Sequence, residues 1–160
     1  KHGIVEMGVV YDPMQNECFS AVRGKGAFLN GQPITVSSVE EMVGAILCTG
    51  FPYDVHTNDD NNLNYFASFV KKSQAVRRLG SAALDLCYVG AGRLDGFWEL
   101  SLNAWDIAAG MLIVEEAGGV VSNMSGQQIT LEPPFSIVAS NPVLHPQMMR
   151  IIEESRGKSI

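Results

Sequence analysis

The stretch N-A-W-D-I-A-A-G-M-L-I-V-E-E-A-G-G, which runs from residue 103 to residue 119, is the most informative part of this sequence of 160 residues. It predicts a helix over 106–117 whose apolar side chains lie on one face. Asp106 is expected to accept hydrogen bonds from the first free backbone N–H groups and to suit the positive end of the helix dipole. The small side chains of residues 108–110 allow the first turns to lie close to other backbone. The two final glycines end the helix, because glycine readily adopts left-handed backbone.

Outward from this helix, the sequence alternates between short apolar runs and segments with helical periodicity. The predicted strands are 45–49, 75–79, 94–99, 120–122 and 136–140, and the other predicted helices are 61–72, 82–91 and 143–154. This alternation predicts an α/β fold with a mixed or largely parallel sheet and helices packed on it. Both tryptophans, Trp98 and Trp105, are expected to be anchors of the core.

The first part of the chain has a different pattern. Residues 3–11 and 17–23 read as two strands of an antiparallel hairpin, and Asn30-Gly31 indicates a second tight turn. Overlapping capping boxes predict a short helical turn at 37–41. Apolar residues occupy both faces of the first strand, which is typical of a central strand pair whose sheet has further members outside this chain. We therefore expect residues 1–42 to be the strands of an incomplete N-terminal sheet and residues 43–160 to form a separate α/β domain.

Charge and composition exclude several classes of function. The net charge is −6 and no run of Lys or Arg exceeds two residues, which argues against a nucleic-acid groove. No apolar run approaches the ~20 residues that cross a bilayer, so no membrane partner is expected. The three cysteines are odd in number and far apart, a pattern of reduced thiols that predicts a cytoplasmic protein.

The turn Gly80-Ser81-Ala82 joins a predicted strand to a predicted helix. Such a turn directs free backbone N–H groups outward and can bind a ligand at the helix N-terminus. The alternative is an ordinary helix capped by the Ser81 hydroxyl group, and it is the more frequent outcome for this local pattern.

Two carboxylates follow in the next part of the chain. Glu99 ends a predicted strand, and ligands of open α/β sheets bind beyond the carboxyl ends of the strands. The alternative is a solvated Glu at a strand end. Asp106 is either a helix cap or a ligand of a cation, and its two oxygens allow both. Asp85 is expected to face solvent or to pair with an arginine.

The pattern W-D-x-A-A-G-x-x-I-x-x-E-A-G-G, which contains Asp106, resembles the C-terminal signature of the inositol monophosphatase family, and the similarity extends over nearly the whole chain. The resemblance implies the C-terminal part of a layered α-β-α-β-α sandwich in a Mg²⁺-dependent phosphomonoesterase, which attacks its substrate with a metal-activated water. It implies that Asp106 is a catalytic metal ligand that also contacts substrate. It further implies that Gly80, Ser81 and Ala82 bind substrate hydroxyl groups through their backbone, and that Glu99 contacts an inositol hydroxyl group.

The main metal motif of that family, D-P-[IL]-D-G-T, is absent. Asp12-Pro13 begins like it, but this segment reads as a plain hairpin turn. One carboxylate cannot hold two divalent cations, each of which needs several oxygen ligands. We therefore expect the chain to be part of a longer phosphatase that is a homodimer when complete; the alternative is a degenerate chain that keeps the fold.

The expected substrate is a small phosphate monoester, either an inositol phosphate or a sugar phosphate. A fructose-bisphosphatase or nucleotide-phosphate phosphatase of the same superfamily is an alternative within the enzymes. A non-catalytic interaction module, docking through its exposed strands, is the alternative of a different class.

Overall fold

The computed structural model describes residues 4–59, 61–130, 133 and 135–157, which form two sheets and four helices. The first sheet is antiparallel, and its strands follow in sequence order: β1 (Met7–Asp12), β2 (Glu17–Val22), β3 (Ala27–Leu29) and β4 (Gln32–Pro33). The second sheet is mixed and contains β5 (Ile46–Thr49), β6 (Ala75–Arg77), β7 (Gly96–Leu102), β8 (Val120–Ser122) and β9 (Phe135–Ser140), in the order β6-β5-β7-β9-β8. The helices are α1 (Leu63–Val70), α2 (Ala82–Gly90), α3 (Ala104–Glu116) and α4 (His145–Ser155).

Three apolar clusters join these elements into layers. One cluster packs α1 and α4 on one face of the second sheet, around Trp98 and Phe69, and a second packs α2 and α3 on the opposite face, around Phe97 and Ile107. The third cluster joins the outer side of α2 and α3 to the first sheet, around Phe19. The described layers are therefore β-α-β-α, which confirms the predicted α/β fold and four layers of the expected sandwich.

The small residues of α3 explain how it fits between two neighbours. A Cβ atom placed on Gly8 of β1 would lie 2.9 Å from both Cα and the carbonyl oxygen of Ala109. A Cβ atom on Gly110 would lie 2.6 Å from Cβ of Leu86 on α2. The predicted close approach of this helix to other backbone is thus confirmed. The helix ends as expected, with Gly118 at a φ of +86°.

Several local predictions are wrong at the level of element boundaries. Helix α3 begins at Ala104 after Asn103, so Asp106 is its third residue and not its cap. Strand β7 continues to Leu102, three residues beyond its predicted end. The helical turn expected at 37–41 is displaced to a 3₁₀ turn at Met42–Gly44. Residue 37 instead accepts hydrogen bonds from the amide of Asn141, through its carbonyl and hydroxyl oxygens, so it anchors a loop.

The two tryptophans have opposite environments. Trp98 is fully buried, as predicted, and its indole N–H donates to Asn62 over 2.7 Å. Trp105 is 80% exposed, so the expectation that it anchors the core is wrong. It is the second residue of α3.

The N-terminal hairpin is confirmed, and the larger sheet expected around it stays a prediction. Asp12 accepts the backbone N–H groups of Met14 and Gln15, which makes this segment a plain hairpin turn. Strand β1 lies at an edge of the described first sheet, and Met7 and Val9 are 66% and 56% exposed. The expectation that β1 belongs to a larger sheet with members outside this chain stays a prediction. Within the described residues, alternate residues of β1 face α3 and the others are exposed. The predicted domain division at residue 42 stays a prediction; the third apolar cluster spans it.

Among the described residues, no helix combines the length and the apolar character that crossing a membrane requires.

Candidate functional site

The topology of the second sheet defines one edge where the predicted site residues gather. Strand β5 is parallel to both β6 and β7, so the carboxyl ends of these three strands meet at the same edge. Thr49, the last residue of β5, pairs with Trp98 of β7, which leaves Gly50 and Glu99 just beyond the shared ladder. Helix α2 begins from the loop after β6, and α3 begins after β7. Ligands of α/β sheets bind at such an edge.

The Gly80 turn has the conformation that its sequence indicates. Gly80 has a φ of +95°, which favours glycine, and Ser81 is the N-cap of α2. The Ser81 hydroxyl oxygen accepts the backbone N–H of Leu84 over 3.4 Å, which confirms the capping interpretation. The first N–H groups of a helix have no acceptor inside the helix, so the turn from Gly80 to Ala82 keeps donors that can serve a ligand. Substrate binding by these three residues stays a prediction.

Glu99 was predicted to end its strand, but it lies in the middle of β7. It still lies beyond the carboxyl end of the shorter neighbour β5, next to a bulge where Ser101 has a φ of +58°. A Cβ atom on Gly50 would overlap the Glu99 carboxylate, 2.2 Å from its Oε1. Any side chain at residue 50 would therefore displace the Glu99 carboxylate from this position.

The electrostatic environment of Glu99 is unusual for a carboxylate. Its pKa is raised to about 7, mainly by burial and also by the charges of Asp85 and Asp106, while the charge of Arg78 lowers it. The Arg78 guanidinium lies 5.1 Å from the centre of the Phe51 ring. A carboxyl group with a pKa near 7 changes its charge in the physiological range, a property that is frequent in functional sites.

A buried amide network fixes the end of β5. The Asn62 amide nitrogen donates to Thr49 Oγ1 over 2.9 Å and to the Gly50 carbonyl over 2.6 Å, and its oxygen accepts from Trp98. Asn62 has left-handed backbone with a φ of +74° and directly precedes α1. The Asn62 amide makes three hydrogen bonds, and the one to the Gly50 carbonyl fixes the backbone against which Glu99 lies.

Asp106 combines a structural role with a free oxygen. Its Oδ2 accepts the backbone N–H of Asn103 over 2.9 Å and the amide of the same residue over 3.3 Å. Its Oδ1 accepts no hydrogen bond within the part of the chain that the structure describes, so it can serve a cation. The described residues contain no group of three or more His, Cys, Asp or Glu that could hold a metal ion. Asp106 therefore fits as one ligand of a Mg²⁺ ion, and the described residues do not supply a complete site.

The prediction for Asp85 is wrong, no prediction singled out Gly50, and both residues belong to this edge. Asp85, expected to face solvent or pair with an arginine, is 1% exposed, and its Oδ1 has no hydrogen-bond partner among the described residues. Its signal in the sequence was an acid inside the apolar run from Leu84 to Cys87. Gly50 was also missed, and its signal was a glycine directly after a buried strand.

This fold and site define a class of protein: a layered α/β protein with carboxylates at the carboxyl ends of parallel strands and a capped helix beside them. The model of the inositol monophosphatase family matches residues 1–156, and the chain belongs to this family.

Individual relatives agree with this assignment. The chain is 50% identical over 141 residues to the Nus factor SuhB of Pseudomonas aeruginosa, covering 87% of this chain and 52% of that protein. The inositol monophosphatase of Anabaena (Nostoc) sp. PCC 7120 superposes with a TM-score of 0.92 at 39% identity, covering 95% of this chain and 60% of that one. A staphylococcal IMPase-II solved with bound inositol monophosphate superposes with a TM-score of 0.82 at 30% identity, covering 92% and 57%. The chain thus spans about half the length of the curated relative.

Proposed function

We propose that this chain carries the substrate-recognition side of a Mg²⁺-dependent phosphomonoesterase that hydrolyses an inositol or sugar phosphate. The observation that carries the proposal is the arrangement of Asp106 and Glu99 at one edge of the sheet, in a member of this family. Asp106 offers a free carboxylate oxygen at the start of α3, and the pKa of Glu99 is shifted by the nearby charge of Asp106. A metal ligand and a polyol acceptor at the same edge of the sheet suit a small phosphate ester.

In this proposal the residues of the chain bind and orient the ester. Bound Mg²⁺ supplies the activation of water and the neutralisation of phosphate charge. Asp106 contributes one ligand, and its other oxygen stays fixed by the N–H of Asn103. Glu99, pressed against Gly50, accepts a hydrogen bond from a substrate hydroxyl group, and the backbone of Gly80, Ser81 and Ala82 contacts further hydroxyl groups.

The direct test is an assay of the complete gene product that contains this chain. We expect hydrolysis of inositol 1-phosphate in millimolar Mg²⁺, and loss of that activity in Asp106→Asn. Glu40→Gln, which removes one carboxylate from an exposed position far along the chain, is the matched control. Absence of phosphatase activity toward every phosphate monoester tested, in a folded protein, would overturn the proposal.

The class of ester is the finer question. The bound ligand of the staphylococcal relative supports an inositol phosphate. A fructose bisphosphate or a nucleotide phosphate remains the alternative, because the loops at the substrate side distinguish these substrates. Comparing kcat/KM for the three esters at equal Mg²⁺ decides between them.

A second candidate function is non-catalytic association with another macromolecule. It is favoured by the name Nus factor of the Pseudomonas aeruginosa relative and by the exposed apolar residues of β1. Under this alternative, Asp106→Asn leaves the cellular role intact, whereas charged substitutions of Met7 and Val9 abolish it. Complementation of a deletion strain with each variant separates the two functions.

Two further properties belong to the proposal. We place the protein in the cytoplasm, supported by three free thiols at Cys18, Cys48 and Cys87. We also propose a homodimer for the complete protein, which light scattering of the complete gene product tests.

A further inference from the structure

Asp85 is a buried carboxyl group that the proposed reaction does not yet use. It lies in the first turn of α2, four residues after the Ser81 cap, and is 1% exposed. Its Oδ1 makes no hydrogen bond to any residue that the structure describes. A buried polar atom without a partner destabilises a fold, so its presence calls for a specific explanation.

The strand pairing places Glu99 on the face of the second sheet that is covered by α2, the helix that contains Asp85. Cys48 and Phe97 pair across β5 and β7, and both belong to the apolar cluster between the second sheet and the helices α2 and α3. Since side chains alternate along a strand, Glu99 lies on the same face as Phe97. The charge of Asp85 raises the pKa of both Glu99 and the Cys48 thiol, which agrees with a cluster of these three groups.

Burial favours a neutral Asp85. Burial raises the pKa of Asp85 to about 7, and Glu99 and Cys48 are its titratable neighbours from β7 and β5. Asp106, at the start of α3, adds a further negative charge beside Glu99, and Arg78 adds one positive charge. Two carboxylates in one buried site do not both ionise readily, so the pair keeps a shared proton near neutral pH.

We propose that Asp85 is a positioning residue for Glu99: as a neutral acid, it donates its O–H to one oxygen of the Glu99 carboxylate. The other oxygen of Glu99 is then held as an acceptor for a hydroxyl group of the substrate. The inference rests on the proposed function and adds a selectivity determinant to it. It also explains why an acid is present at this buried place: the partner of Asp85 is itself a carboxylate.

The proposal predicts a pH-dependent selectivity for polyol esters. When the pH rises through the pKa of Asp85, the donor is lost and two negative charges repel each other. The ratio of kcat/KM for inositol 1-phosphate to that for 4-nitrophenyl phosphate therefore falls between about pH 6 and about pH 9. Metal binding, water activation and phosphate ionisation affect both esters, so they largely cancel in this ratio.

Two substitutions of Asp85 separate donor from charge in the complete gene product. Asp85→Asn keeps a donor that cannot ionise, so the ratio stays within about twofold of the wild-type value at neutral pH and no longer falls with pH. Asp85→Leu keeps the branching at Cγ but is larger and has no donor, and it lowers the ratio about tenfold, the effect expected from one charge-assisted hydrogen bond. Glu40→Gln should reproduce the wild-type ratio and its pH profile.

Three outcomes overturn the inference: equal ratios in Asp85→Leu and the wild-type protein, equal effects of Asp85→Asn and Asp85→Leu, or a wild-type ratio that is independent of pH. If Asp85→Leu does not fold, the wild-type protein and Asp85→Asn still decide it through the pH profile. Failure of the proposed function has a different signature, because then neither ester is hydrolysed. In that case, comparing the melting temperatures of Asp85→Asn and the wild-type protein as a function of pH still shows whether Asp85 is buried as a neutral acid.

Discussion

At the scale of single residues, the site depends on three carboxyl groups with different neighbours. Asp106 is tied by one oxygen to the backbone N–H of Asn103, Glu99 contacts Gly50, and Oδ1 of the buried Asp85 has no hydrogen-bond partner among the described residues. The same functional group therefore serves as the third-residue member of a capping box with a spare ligand atom, as an acceptor at the edge of the sheet and as a buried acid. Burial and neighbouring charge decide which role each one has.

Asp106→Asn is expected to separate catalysis from stability. The amide oxygen of Asn can still accept the N–H of Asn103, so the free energy of unfolding should change by less than about 1 kcal/mol. Activity of the complete protein should fall by at least about 100-fold, because even the partners of metal ligands are worth ~10–100-fold. Thermal melting and kcat in Mg²⁺ check the two effects. A steep loss of stability with normal activity per folded molecule would make Asp106 only a cap.

Glu99→Gln is expected to affect polyol esters selectively. The loss of a charge-assisted hydrogen bond of ~1.5–3 kcal/mol lowers kcat/KM for inositol 1-phosphate by about 10- to 100-fold. The value for 4-nitrophenyl phosphate should change far less, because this ester has no polyol. Both are measured at neutral pH in the complete protein. Equal losses for the two esters would assign Glu99 to the architecture and not to recognition.

Asp85→Asn is expected to alter how stability depends on pH. The pKa of Asp85 is raised from 3.8 to about 7 in the folded protein, so its contribution is fully favourable below about pH 4 and is lost as the pH rises through about 7. At 1.36 kcal/mol per pKa unit, ionisation of the buried acid destabilises the fold by up to about 4 kcal/mol. The variant should match the wild type near pH 4 and melt at a higher temperature near pH 8. If the melting temperatures of the variant and the wild type differ by the same amount from pH 4 to pH 8, Asp85 is not a buried group that titrates in this range.

At the scale of elements, α3 is the helix that joins the two sheets. Its small residues contact β1 on one side and α2 on the other, and its C-terminal end holds a loop of the first sheet. The Glu116 carboxylate accepts the backbone N–H groups of Gly24 and Gly26 over 2.8 and 2.9 Å, and these bonds lower its pKa. The helix that presents Asp106 is thus fixed at several points along its length.

Gly8→Ala tests the close contact between β1 and α3. The new Cβ atom would lie 2.9 Å from backbone atoms of Ala109, so strand and helix must separate. Overpacking of this kind costs about 1–3 kcal/mol, which lowers the melting temperature by about 2–12 °C for a domain of this size. Gly44→Ala is the matched control, because its Cβ meets only Cγ1 of Val39, at 3.9 Å. Equal melting temperatures for the two variants would show that β1 and α3 can move apart without loss of stability.

At the scale of the whole molecule, β1 is the least covered part of the described fold. Its outer face exposes Met7, Val9 and Tyr11, and its outer edge has no paired strand among the described residues. An exposed apolar edge strand is a site for pairing with other strands. The first sheet is therefore where the isolated chain and the complete protein should differ most.

The isolated chain is expected to self-associate through this edge. Size-exclusion chromatography with light scattering should show dimers or larger species whose population rises with concentration. Replacing Val9 with Lys places a charge on the exposed face and should restore a monomer, whereas Val143→Lys, at an exposed residue far from β1, should not. A monomer at high concentration, with β1 protected from hydrogen exchange, would show that the chain covers its own hairpin.

The sequence by itself determined the features that depend on neighbouring residues along the chain. The helix α3, its termination at Gly118, the Ser81 cap and the hairpin turn at Asp12 all follow from local hydrogen bonding and backbone conformation. The small side chains at 109–110 also predicted a close contact, but they did not predict that its partners are β1 and α2. The motif around Asp106 was enough to identify the family.

Only the tertiary structure decided the features that depend on residues distant in the chain. Glu99 is beyond a strand end because β5, fifty residues earlier in the sequence, is shorter than β7. Asp85 is buried, and Trp105 is exposed, because of the way that two helices pack on a sheet, and no local pattern encodes that packing. Burial and the proximity of charges are properties of the assembled layers, and they set the pKa values of the acids at the site.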